Sequence, residues 1–97
     1  MADTLDLTSP LHGFLTITGA SQEIKSIRNT NFNLSLYGTW VGSMQLQRSF
    51  NRGVTWLDVG SPYTANVETT FFEPEGGVNY RFNFTRTSGT INFRLGQ

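Results

Sequence analysis

Val78-Asn79-Tyr80-Arg81-Phe82-Asn83-Phe84-Thr85 sets an apolar side chain at every second position and a polar one between. That is the period of a β-strand with one face buried and the other in water. Ile91, Phe93 and Leu95 alternate with Asn92 and Arg94 in the same way, and Ser88-Gly89 between the two runs reads as a turn. The segment is expected to be a hairpin with an aromatic inner face.

The same rhythm extends upstream. Phe32, Leu34 and Leu36 oppose Asn33, Ser35 and Tyr37, with Gly38 as a break; Trp40, Met44 and Leu46 then share one face, with Ser43, Gln45 and Gln47 on the other. Asn51-Arg52-Gly53 supplies turn chemistry, which makes Val54 to Val59 the returning arm of a hairpin. Gly60-Ser61-Pro62 reads as a loop, Asn66 to Phe72 as a strand, and Glu73-Pro74-Glu75-Gly76-Gly77 as an exposed turn. Phe14 to Thr18 reads as a first strand closed by Gly19. Between Ala20 and Asn31, Ile24 and Ile27 suit either one helical turn or an irregular strand.

Short strands separated by frequent turns predict an all-β fold, a small antiparallel β-sandwich or barrel. Residues 12–97 are expected to form the single domain and residues 1–11, ending in Pro10-Leu11, an extended N-terminal arm able to lie along a neighbour. The chain of 97 residues contains no cysteine, so it has neither a disulfide framework nor a thiolate metal site. A domain of that size without such supports is expected to associate with like or unlike subunits, a homo-oligomer among them. Its first residues carry acids where a signal peptide carries bases, so folding in a cytoplasm is expected.

Seven Lys and Arg balance seven Asp and Glu, which leaves no net field to attract nucleic acid or anionic membrane. Catalytic chemistry is equally poorly provided for, and no cofactor is expected. His12 is the single histidine and cannot assemble a multi-histidine metal site. Ser49 lacks the Gly-x-Ser-x-Gly elbow of a nucleophile, and Glu73 and Glu75 around Pro74 read as solvated loop charges. No enzyme is expected. The candidate contact residues are Arg81 and Arg94, suited to carboxylates or carbonyls of a partner, and Trp40 and Tyr63 as aromatic anchors; Trp40, Trp56 or Tyr63 could equally stack on sugar rings.

Ser49-Phe50-Asn51-Arg52-Gly53-Val54-Thr55-Trp56 resembles the Asp-box, the S-x-D-x-G-x-T-W hairpin motif of sialidase-type propellers and other β proteins, with Asn51 in place of Asp. The resemblance implies a structural turn in which Ser49, Asn51, Gly53, Thr55 and Trp56 cooperate, and it implies no sialidase activity. From Phe32 onward, Tyr37-Gly38-Thr39-Trp40-Val41-Gly42, Leu46-Gln47-Arg48-Ser49, Gly77-Val78-x-Tyr80-Arg81 and Ser88-Gly89-Thr90 are similar to small structural proteins encoded among tailed-bacteriophage virion genes. That resemblance implies an accessory protein of the virion, a capsid decoration or cement protein binding the major capsid protein or other virion subunits, with a neck or tail component as a variant. A carbohydrate-binding or receptor-binding module is the alternative.

Overall fold

The computed structural model describes residues 9–97. It is all-β and antiparallel, with strands β1 (Leu11–Leu15), β2 (Gly19–Lys25), β3 (Thr30–Ser49), β4 (Leu57–Asp58), β5 (Val67–Glu73) and β6 (Asn79–Gly96). The alternating segments do form strands, but in fewer and longer pieces than their glycines suggest. β3 has 20 residues and β6 has 18, and β6 pairs with β3 along its whole length, from Asn33↔Gly96 to Ser49↔Asn79. Gly38 therefore does not end a strand, and Ser88-Gly89 is no hairpin turn.

The parity of β6 shows why the turn reading failed. Tyr80, Phe82 and Phe84 are buried on even positions, whereas Ile91, Phe93 and Leu95 are buried on odd ones. Val41 pairs with Ser88 and Gly42 with Arg86, so Thr87 is an extra residue, a β-bulge that exchanges the two faces without reversing the chain. At this line the strands also approach closely. A Cβ on Gly42 would lie 2.1 Å from the Thr85 carbonyl oxygen, and one on Gly89 would lie 2.3 Å from that of Thr39.

Around the bulge the sheet folds over itself into two layers. One layer runs β5, the first half of β3, the second half of β6, β1; the other runs β4, the second half of β3, the first half of β6, β2. Side chains from the two halves meet between the layers: Phe82 and Phe93 of the same strand have ring centroids 5.4 Å apart, and Phe32 and Tyr80 lie 5.0 Å apart. The β1–β2 edge does not pair with the β4–β5 edge, so the fold is a sandwich and not a closed barrel.

Several boundaries move from their expected places. Leu11 is buried and pairs with Leu95, so the last residue of the expected arm belongs to the core, while residues 1–8 lie outside the described part. The ambiguous stretch from Ala20 becomes an irregular strand, with a register shift between Ala20 and Glu23; Ile24 is buried and Ile27 exposed. The returning arm of the Asn51 turn shrinks to Leu57–Asp58, paired with Gln47 and Arg48. Beyond it Tyr63 exchanges two 2.8 Å backbone hydrogen bonds with Met44, which carries the chain across to β5.

Candidate functional site

The Ser49–Trp56 turn is built by its own side chains. Ser49 is fully buried; its Oγ donates to Asn51 Oδ1 at 2.8 Å and accepts from the backbone N–H of Gly53 at 2.8 Å and of Asn51 at 3.3 Å. Asn51 Oδ1 also accepts from the Thr55 N–H at 2.8 Å. Arg52 and Gly53 adopt positive φ values of 61° and 83°, the left-handed geometry that favours glycine at the second position. Trp56 lies below, close enough that a Cβ on Gly53 would be 3.3 Å from its Cζ2. The Ser49 hydroxyl and the Asn51 side-chain oxygen both serve the turn.

Trp56 carries the Arg81 guanidinium, whose carbon lies 4.2 Å from the indole centroid. Arg81 Nε donates to Gln47 Oε1 at 2.9 Å, and Gln47 Nε2 donates in turn to Asp58 Oδ1 at 3.0 Å. Arg81 is thus spent inside the molecule. Trp40 is half-buried, its Nε1 donating to Asn66 Oδ1 at 2.7 Å while Phe84 meets it edge-on at 5.8 Å; Tyr63 is half-buried against the core. Of the four contact candidates, Arg94 alone is exposed without such a commitment. Trp40, Trp56 and Tyr63 form no open platform.

Glu73 departs from its expected role as a solvated loop charge. It ends β5 in the interior, accepting from Tyr80 Oη at 2.6 Å and from the Glu75 N–H at 3.0 Å, with Arg48 Nη1 at 3.8 Å. Burial, reinforced by the Glu73 carboxylate, pushes the Tyr80 hydroxyl up to about 12. These groups lock the β5–β6 connection.

The surface with unspent chemistry is the outer face of the β5–β3–β6–β1 layer. One cross-strand row runs Glu68, Ser35, Arg94, His12, and the next runs Tyr37, Asn92, Phe14. Phe14 is 65% exposed, Tyr37 53% and, further along, Phe72 57%. The strand spacing places Tyr37 and Phe14 ~10 Å apart with Arg94 beside both. Among the described residues Arg94 makes no ion pair; its guanidinium lies over Gly96, with Nη1 2.9 Å from where a Cβ would stand. A shallow depression of about 450 Å³ adjoins it, lined by Ser35, Tyr37, Asn66, Val67, Glu68 and Arg94 among others.

Sequence reasoning found Arg94 and missed Phe14, Tyr37 and Phe72. The available signal was their parity: Tyr37 stands with Asn33 and Ser35, on the face opposite Leu34 and Leu36. An aromatic in the polar register of a strand is exposed.

The fold and this face define a small two-layer antiparallel β protein with an aromatic and arginine-bearing outer surface. No family model matches the chain, and neither a curated protein nor a solved structure matches it.

Proposed function

We propose that this chain is a non-enzymatic structural module that docks on another protein through the outer face of the β5–β3–β6–β1 layer. The observation that carries this reading is the grouping of two largely exposed aromatics, Phe14 and Tyr37, around an Arg94 that has no carboxylate partner among the described residues. Aromatic and arginine side chains supply most of the energy at protein interfaces, and monomer surfaces seldom group them without use. The resemblance of the Tyr37–Gly42 and Gly77–Arg81 segments to virion proteins of tailed bacteriophages supports an assembled shell as the partner.

On this reading the protein is a capsid decoration or cement protein, found on the virion after assembly in the host cytoplasm. Phe14 and Tyr37 would bury their rings across a joint between capsid subunits while Arg94 binds a carboxylate or carbonyl there. Separating the subunits must then break these contacts too. The test is sedimentation of a native lysate through a density gradient: travel with megadalton particles supports the reading, and recovery only at the top of the gradient rejects it.

The carbohydrate-binding alternative now rests on a different residue. Tyr37, beside the depression with Ser35, Glu68 and Arg94, is the aromatic available for a sugar ring, in place of Trp40, Trp56 or Tyr63. Saturable glycan binding lost in Tyr37→Ala would select it.

A further inference from the structure

The sandwich has four edges, and three of them carry features that block pairing with another chain. β4 is only two residues long. β2 is broken by a register shift and ends at Lys25. β1 is only five residues long and contains Gly13. β5, by contrast, is a regular seven-residue strand, Val67-Glu68-Thr69-Thr70-Phe71-Phe72-Glu73, free of proline, lysine and bulges.

Its outward hydrogen-bonding groups can be identified from the ladder. On β3, Met44 and Leu46 bond to Tyr63 and Val59 on the side away from β6, and the Thr39 carbonyl faces Gly89 of β6, so even-numbered residues of β3 face β5 and odd-numbered ones β6. Val67, Thr69, Phe71 and Glu73 therefore bond to β3, whereas the N–H and C=O groups of Glu68, Thr70 and Phe72 point away from it. Among the described residues no hydrogen bond reaches those groups from outside.

We propose that β5 pairs with β5 of a second copy, antiparallel and centred on Thr70, to join two outer faces into one continuous surface. In that register Thr70 meets Thr70, Thr69 meets Phe71, Glu68 meets Phe72 and Val67 meets Glu73. No like charges face each other, and the outward groups of Thr70 bond reciprocally across the centre, as do those of Glu68 and Phe72. A parallel in-register pairing would instead stack Glu68 on Glu68 and Glu73 on Glu73. The antiparallel pair is isologous and uses up the edge, so assembly stops at a dimer. This inference rests on the edge alone and does not depend on what the outer face binds.

The full chain contains no cysteine, which makes a single introduced thiol a clean reporter. Thr70 is exposed and sits at the hydrogen-bonded centre of the proposed pair, where Cα atoms lie about 5.5 Å apart, within disulfide reach. Thr70→Cys is expected to oxidise to a covalent dimer on the order of tenfold faster than Glu68→Cys, whose partner position holds Phe72. In light scattering after size exclusion, the wild type is expected at twice the chain mass. Thr70→Lys should halve that mass, since two ammonium groups would face each other, while Thr70→Val should preserve it. Near-ultraviolet circular dichroism checks that each variant is folded. A wild type that is monomeric at high micromolar concentration overturns the proposal. So does a dimer that survives Thr70→Lys and gives no preferential Thr70→Cys cross-link, because it uses another surface.

Discussion

Replacing Gly42 by alanine probes the fold line, where the two long strands cross from one layer to the other. The new Cβ would sit 2.1 Å from the Thr85 carbonyl oxygen and 3.2 Å from both the Thr85 carbonyl carbon and the Thr87 nitrogen. All three are backbone atoms, so no side chain can swing aside. Gly42 also has a φ of +145°, a conformation that L residues rarely adopt and that costs about 1–3 kcal/mol. Relieving the overlap requires β3 and β6 to separate by ~1 Å, which weakens neighbouring ladder hydrogen bonds worth about 1 kcal/mol each. The total comes to about 3–5 kcal/mol, against roughly 5–15 kcal/mol for a whole domain of this size. Gly60 is the control, with a φ of +68° and nothing within 4 Å of its added Cβ, so Gly60→Ala should cost only about 1 kcal/mol. Urea unfolding followed by tryptophan fluorescence measures both, and Gly42→Ala should lower the midpoint by about 2 M. If Gly42→Ala costs no more than Gly60→Ala, β3 and β6 do not pair through the bulge as described.

Three further outcomes follow from other parts of the molecule. Ser49→Ala should cost about 2 kcal/mol in the same assay by leaving the Gly53 and Asn51 donors without their acceptor, whereas Asn51→Asp should be neutral or stabilising and Gly53→Val strongly destabilising. Tyr80 stays neutral in the fold up to about 12, while the unfolded chain loses that proton from 10 upward. Its contribution is therefore complete below pH 10 and declines by about 2–3 kcal/mol as pH rises toward 12; Tyr80→Phe should flatten that part of the stability–pH curve. Tyr37→Ala and Arg94→Ala, both on the surface, should change unfolding free energy by less than about 0.5 kcal/mol while weakening partner binding by 1 kcal/mol or more in a titration.

The inner faces were legible in the sequence because burial imposes a period of two. Phe32, Leu34, Leu36, Met44 and Leu46 on β3, and Tyr80, Phe82 and Phe84 on β6, all lie where alternation assigns them. The turn at Ser49–Trp56 was legible for a local reason: Ser49 and Asn51 bond to donors two to four residues away. What escaped notice was long-range. Ser88-Gly89 offers the same residues to a turn as to a bulged strand, and only the parity change between Phe84 and Ile91, measured against β3, separates the two. Glu73 looked solvated because Glu-Pro-Glu-Gly-Gly is loop chemistry; its burial depends on Tyr80, which β6 brings alongside. Trp40 and Tyr63 looked like surface anchors because no local pattern reveals that Asn66 and Met44 bind them. The outer face could have been read from Tyr37, although its grouping with Phe14 and Arg94 depends on β1 and β6 being neighbours.

The docking role of that face is tested most directly by comparing three versions of the full chain in the same particle-containing lysate on one density gradient: wild type, a Tyr37→Ala/Arg94→Ala double variant, and Gln45→Ala on the opposite layer. The account predicts that wild type and Gln45→Ala sediment with the particles and that the double variant remains at the top while folded. Sedimentation of all three together, or of none, would contradict it.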